Sequence, residues 1–340
     1  MKRMLILLTI VLFSVGTLLA EEAVLIDFST LTADIMSDEN DKPTQNSATL
    51  MDYGMVAGAS FTEEQKAVMR TSLAIENWEV VLASSSRFVD NMVRTYAKEA
   101  DSNQYEKVMG VRIHFPIEPY NSWAIIKPPF EIPAFEPQAN VDEDGNIEPA
   151  DGSDGITGPS RFEAQEEGEP AYGVVKNVGT IKAIQVRVYG LNFPHALYTT
   201  IIDSRGNAKE SFMGYLQFDG WRNLRWDNPA YIQEVRNREL RIYPLYPTSM
   251  PFIKFGGFRV ARDAAHEGGD FVGYFKEVRI IYDQAVLPSD RDIDDERMWN
   301  IIETRETAKK VWEMERFGQN QVLRYLEQQK QATENTFSEQ

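Results

Sequence analysis

The stretch Thr180-Ile181-Lys182-Ala183-Ile184-Gln185-Val186-Arg187-Val188-Tyr189 decides the fold class. Ile184, Val186 and Val188 alternate with Gln185 and Arg187, so one face of an extended chain is apolar and the other polar. That is the pattern of a strand with one side in a core. Similar runs recur on both sides of it. Leu197 to Asp203, Phe212 to Phe218, Phe252 to Val260 and Phe271 to Tyr282 follow, with Arg205-Gly206-Asn207 as a hairpin-like turn. Val24 to Phe28, Trp78 to Leu82, Lys107 to Phe115 and Ser122 to Ile126 precede it. Prolines at 116, 119, 128, 129, 133 and 137 delimit the earlier runs and exclude long helices there. About ten strands in a mostly antiparallel order predict a two-sheet sandwich of jelly-roll type.

Other segments depart from this pattern. Thr62-Glu63-Glu64-Gln65 before Lys66-Ala67 predicts one capped helical turn. Residues 138 to 170 are acidic and Gly-rich, as in Asp142-Glu143-Asp144-Gly145-Asn146, but lack the spacing of a calcium loop. They read as a solvated, mobile insertion. From Pro288 onward the chain is charged and helical, with Met298, Ile301, Ile302, Ala308, Val311 and Trp312 at helical spacing and Val322, Leu323 and Leu326 continuing it. Gly318 is where this run would break or bend. The helix would pack on its own sandwich or dock on a neighbouring subunit. The expected organisation is a leader over residues 1–20, a sandwich over 21–287 and a helical segment over 288–340.

The leader is read from Lys2 and Arg3, the apolar run Met4 to Leu19, and small Ala20 before Glu21 and Glu22. That layout predicts an exported chain cut between Ala20 and Glu21. The run is shorter than the roughly 20 residues a spanning helix needs, so no membrane insertion is expected after cleavage. The chain has no Cys and three His, His114, His195 and His266, far apart in sequence. Thiol chemistry and thiolate metal sites are excluded, and neither a metal centre nor any cofactor is expected. The net charge of −17 becomes −19 once Lys2 and Arg3 leave. Such a charge repels phosphate backbones, so nucleic acid is not an expected partner.

No phosphate cradle or nucleophile motif occurs, and no catalytic residue is assigned. Asp219 and Asp227 flank two tryptophans but read as turn residues. The most distinctive cluster is Phe218 to Pro229. Its Trp221, Arg222, Arg225 and Trp226 are the candidate surface for sugar or protein contact. Tyr120 and Asn121 form a second candidate, beside Trp123, which reads as core.

Gly110 to Pro116, Tyr120 to Ala124, Pro128 to Pro133, Val178 to Asn192, Gly220 to Leu224 and Phe271 to Val278 together resemble the spirochaete flagellar filament outer-layer (sheath) protein family, FlaA. The likeness covers roughly residues 75 to 320. It implies a periplasmic, non-enzymatic subunit laid on a flagellin core. Core flagellins and other copies or paralogues of the sheath protein would be its partners, and filament shape, stiffness and motility its work. A secreted carbohydrate-binding jelly roll stays open beside it. That reading requires coplanar aromatics on a concave face, whereas a sheath subunit requires aromatic and Arg patches facing neighbours.

Overall fold

The computed structural model describes residues 21–31, 61–67, 73–133, 178–203, 205–240, 253–284 and 301–337, with short pieces between them. The leader, and most of the 138–170 insertion, lie outside the described residues. Within the insertion Ala139–Val141 pairs with Ile147–Pro149 as a short hairpin.

Twelve strands build two sheets. In chain order they are β1 (Glu21–Asp27), β2 (Glu79–Leu82), β3 (Tyr96–Ser102), β4 (Glu106–Phe115), β5 (Ser122–Lys127), β6 (Ile132–Pro133), β7 (Val178–Leu191), β8 (Ala196–Ile202), β9 (Ala208–Tyr215), β10 (Asp219–Asp227), β11 (Lys254–Arg262) and β12 (Gly269–Gln284). Helices α1 (Glu63–Ala67), α2 (Val89–Val93), α3 (Tyr231–Leu240) and α4 (Ile301–Phe337) complete the labelled elements.

The first sheet has the order β10-β7-β12-β4-β3, with β1 also on β12; the second has β9-β8-β11-β5-β2, with β6 on β11. All these pairings are antiparallel. Eight of these strands read β4-β12-β7-β10 and β5-β11-β8-β9, and the chain crosses between sheets from β4 to β5, β7 to β8, β9 to β10 and β11 to β12. This is jelly-roll connectivity, as expected from the alternating runs.

The strand parity holds. Ile184, Val186 and Val188 of β7 are buried with Val278 and Ile280 of β12, Ile113 and Phe115 of β4, and Phe255, Phe258 and Val260 of β11. Phe258 stacks on Phe275 at 4.7 Å, joining the two sheets through the core. Lys276 is the extra residue of a β-bulge: Val188 faces Phe275 while Arg187 faces Glu277. Its ammonium lies between the Asp27 carboxylate and the Ser29 hydroxyl, tying β1 to β12 across 249 residues.

Local signals also hold. Thr62 Oγ1 accepts from the Gln65 amide at 3.2 Å and Gln65 Oε1 from the Thr62 amide at 3.0 Å, a reciprocal cap for α1. Asp203 Oδ1 accepts from the Arg205 and Asn207 amides, and Gly206 takes φ +83° in that turn.

Three expectations need correction. Trp123 is not core: Ser122, Ala124 and Ile126 point inward, so period 2 turns Trp123 to the outer face, half-buried. Of the break or bend expected at Gly318, the break does not occur: α4 runs through it, and Gly318 is buried. Asp219 and Asp227, read as turn residues, are instead the first and last residues of strand β10.

Helix α4 meets its own sandwich through Phe317, whose ring lies 6.1 Å from that of Phe130, and through Arg324, 2.7 Å from Glu79. Among the described residues no helix is long and apolar enough to cross a membrane.

Candidate functional site

Strand β10 is the edge of the first sheet and pairs only with β7. Trp221 and Trp226 are five residues apart, an odd number, so the strand sends them to opposite faces. The four residues of the candidate cluster therefore do not form one platform. Trp226 and Leu224 turn inward; Leu224 is buried and Trp226 packs half-buried against the core, with the Lys209 ammonium 5.5 Å from its ring. The Arg222 guanidinium lies 4.4 Å from the Phe218 ring centroid. Trp221 and Arg225 face outward. Arg225 donates to Asp227 at 2.9 and 2.7 Å, and this pair holds the Asp227 carboxyl below the usual range.

Asp219 and Asp227 stand at the two ends of β10. Eight residues of strand separate their Cα atoms by roughly 26 Å, far beyond the spacing two glycosidase carboxylates need.

Trp221 belongs to a row that runs across the outer face of the first sheet. Trp221 faces Tyr189, Tyr189 faces Tyr274, Tyr274 faces Gly110, and Gly110 faces Lys98. The rings meet edge to face, at 5.3 Å for Tyr189–Trp221 and 6.0 Å for Tyr189–Tyr274. Tyr105, from the turn between β3 and β4, adds a ring 4.9 Å from Trp221. Arg187 links them, donating to the Tyr105 hydroxyl and to Asn223 Oδ1, both at 3.1 Å. Gly110 leaves room for Tyr274: a Cβ there would stand 3.3 Å from its ring.

A second row crosses the outer face of the other sheet. Phe212 faces Tyr198, Tyr198 faces Arg259, Arg259 faces Ile125, and Ile125 faces Val81. Phe212 and Tyr215 are 42% and 61% exposed and 5.3 Å apart. The Arg259 guanidinium stacks 4.0 Å from the Tyr198 ring while Glu210 holds it at 2.9 and 3.0 Å. An outer sheet face is ordinarily polar, and this one carries an aromatic and aliphatic row instead.

Tyr120 and Asn121 serve elsewhere. The Tyr120 hydroxyl donates to the Ser85 carbonyl at 3.0 Å, and Asn121 Oδ1 accepts from the Ala264 amide at 2.9 Å. They pin loops at one end of the sandwich. Among the described residues no hydrogen bond, ion pair or ring contact joins them to the β10 cluster.

The sequence reading missed Tyr105, Tyr189, Tyr274, Tyr198, Phe212, Tyr215 and Arg259. One signal was present: Tyr189 continues the outward series Gln185, Arg187, and Tyr198 opens the outward series Thr200, Ile202. Their assembly into rows depends on pairing between distant strands.

No group of three or more His, Asp or Glu able to hold a metal occurs among the described residues. His114 Nδ1 donates to Asp270 Oδ1, 2.7 Å away, and Arg112 holds the other oxygen at 2.9 Å. Arg112 first, then His114, keeps the Asp270 carboxyl below its usual range. The His114 amide donates to Thr95 Oγ1 at 2.9 Å, and the His–Asp pair joins β4 to β12 as a cross-strand clasp.

Fold and surfaces thus define a jelly-roll module that presents aromatic rows on its outer faces. The family model for the flagellar filament outer layer protein, FlaA, matches residues 42–291. The chain belongs to that family. It is 49% identical over 344 residues to the "Flagellar filament outer layer protein" of Treponema pallidum, covering 99% of this chain and 97% of that one. It is 43% identical to the Spirochaeta aurantia protein of the same description, over 94% of this chain and 90% of the relative. Among solved structures, TmCBM61 in complex with β-1,4-galactotriose matches with 9% identity and a TM-score of 0.28, covering 61% of this chain and 90% of that one.

Proposed function

We propose that this chain is a structural, non-enzymatic subunit of the outer layer of a flagellar filament. It coats a core of flagellins, beside other copies or paralogues of itself, and contributes to filament shape, stiffness and motility. The observation that carries this reading is the near-full-length match to relatives described as flagellar filament outer layer proteins. The basic and apolar leader ending at Ala20 supports export, with a mature chain beginning at Glu21 and residing in the periplasm on the filament. The division into a sandwich over 21–287 and a helical segment over 288–340 belongs to the same proposal.

The geometry favours protein contact over sugar. A sugar platform needs coplanar rings. Tyr198–Phe212 and Phe212–Tyr215 meet at interplanar angles of 55° and 71°, and Tyr189–Trp221 at 75°. Edge-to-face rings with neighbouring guanidinium groups are the composition of protein contact anchors.

The test is purification of flagellar filaments and a search for this chain in the flagellin pellet. Co-sedimentation is expected. A chain that stays in the supernatant while core filaments pellet refutes the proposal. A deletion strain should keep its core filaments but with altered curvature or stiffness, and swim more slowly.

A further inference from the structure

Strand β12 is paired along both edges. On one edge β7 follows it from Gln284 to Tyr274. The other edge is shared: β4 pairs with Gly269 to Phe275, and β1 with Glu277 to Tyr282. Among the described residues, β1 alone fills that second length of edge. Its Leu25 and Ile26, with Phe28 and Leu31 just after it, are all 0% exposed. Phe28 meets Trp78 at 5.2 Å and Phe258 at 6.2 Å. Charge matches as well. Residues 21–31 carry three acids and no base. Asp27 takes the Lys276 ammonium, and Glu22 stands 3.7 Å from Arg279. Strand and seat recognise each other by shape, register and charge.

The connection from β1 to the body is far longer than the gap it closes. The Leu31 carbonyl accepts from the Ile75 amide at 3.4 Å. Yet 41 residues lie between Leu31 and Leu73. The core cluster contains Leu31 and Leu73 and none of the described residues between them. Two short pairings lie in that stretch, Ile35–Ser37 with Pro43–Gln45 and Met51–Asp52 with Arg70–Thr71. With both kept, about twelve remaining backbone steps and two strand spacings still reach about 50 Å. That exceeds the length of β7, 14 residues or about 45 Å. The seat of an abutting copy is within reach.

We infer that residues 21–31 are an exchangeable strand, and that in the outer layer β1 of one copy fills the β12 seat of the next. The inference rests on the outer-layer reading above. The structure itself defines the occupant, because a second copy carries the same segment that fills the seat here. The contacts are the same within one chain and between two. Effective concentration therefore decides between them. A dilute chain fills its own seat. Copies held side by side on a filament offer one another their seats at a concentration that competes with the tether. Exchange uses β1 on one partner and the seat on the other. Such a contact need not close on itself, so it can propagate along a filament.

The chain has no Cys, so an introduced pair reports one contact. Glu22 and Ile281 are cross-strand partners, exposed and half-buried. Such partners lie within the separation a disulfide bridges. The experiment uses the chain without residues 1–20 carrying Glu22→Cys and Ile281→Cys. It is oxidised once while dilute and once after binding to flagellin filaments, then separated under denaturing, non-reducing conditions. The dilute chain should give a monomer with an internal disulfide. The filament-bound chain should give a ladder of linked chains that reductant collapses, and neither single-Cys chain should pass the dimer. A filament-bound chain without a ladder overturns the inference. Val24→Cys with Arg279→Cys, a second pair in the same register, repeats the test if the first disturbs folding. In the converse arm, the double variant is oxidised while dilute, which locks β1 in its own seat. The locked chain should coat filaments at least tenfold more weakly than its reduced form, and equal coating overturns the inference. Wild-type co-sedimentation with filaments is scored separately. Its loss refutes the outer-layer reading, whereas its persistence with only internal disulfides in the double variant refutes the exchange alone.

Discussion

Acid is expected to loosen this sandwich chiefly through His195. The residue is 3% exposed, stacked on Phe115 at 5.0 Å, and enclosed by Phe193 and Phe271. Neither ring nitrogen has a hydrogen-bond partner. Burial, with His266 and Arg262 nearby, pushes its pKa down from 6.5 to about 4. Between those values the unfolded chain takes up a proton that the folded chain refuses. The stability is complete above pH 6.5 and falls as pH drops through the window. Linkage puts the loss at about 2 kcal/mol by pH 5 and about 3 kcal/mol by pH 4. Asp270 and Asp227 are held below the ordinary carboxylate range by Arg112 and Arg225. Their contributions fade only below about pH 4, outside this window. Urea unfolding followed by tryptophan fluorescence at about pH 7.5 and about pH 5 gives the difference directly. The wild type should lose about 2 kcal/mol more than His195→Leu over that interval. At neutral pH His195→Leu should be no less stable, because two unpaired buried nitrogens are removed. His195→Gln, neutral but polar, is the second variant and should lack the same acid limb. Equal losses in wild type and both variants would refute the reasoning.

Three further outcomes are expected. Trp226→Ala should cost about 2–4 kcal/mol in denaturant unfolding because it removes a core-facing ring, whereas Trp221→Ala should cost about 1 kcal/mol and act mainly on filament coating. Arg262 is 1% exposed and donates to the carbonyls of Pro116, Glu118 and His266; Arg262→Met should cost about 3 kcal/mol or more, and hydrogen exchange should rise in the loops around 116–118 and 263–266. Lys276→Met should cost about 2 kcal/mol by leaving the part-buried Asp27 carboxylate without its ammonium, and Asp27→Asn in the same chain should restore part of it, as a double-mutant cycle would measure.

Much of the architecture was legible locally. Alternation in Thr180 to Tyr189 set which side chains of β7 enter the core, because a strand has period 2 and water rejects one set. The cap at Thr62, the turn at Asp203 and the helical character of the tail were also legible, since each rests on residues a few positions apart. The stripe predicted along the tail is not one buried face: Met298, Trp312 and Leu323 are exposed. Strand β3 was missed because Tyr96-Ala97-Lys98-Glu99-Ala100-Asp101-Ser102 is an edge strand with almost no apolar residue to betray it. Strand β10 was read as a cluster because its aromatic and Arg content masked a plain alternation. Its parity, once extended backbone is granted, already separates Trp221 from Trp226.

Tertiary structure alone decided the rest. Tyr274 meets Gly110 across 164 positions, and Arg259 meets Ile125 across 134, so no local period announces either row. The bulge at Lys276 sets its ammonium on Asp27, which comes from 249 positions away. His195 is an ordinary histidine in sequence. Phe115 and Phe271 from distant strands, with Phe193 two positions away and an arginine committed to backbone carbonyls, make it one that resists protonation. Burial and pairing are properties of the folded whole, and the free energy of each depends on neighbours that only chain crossing brings together.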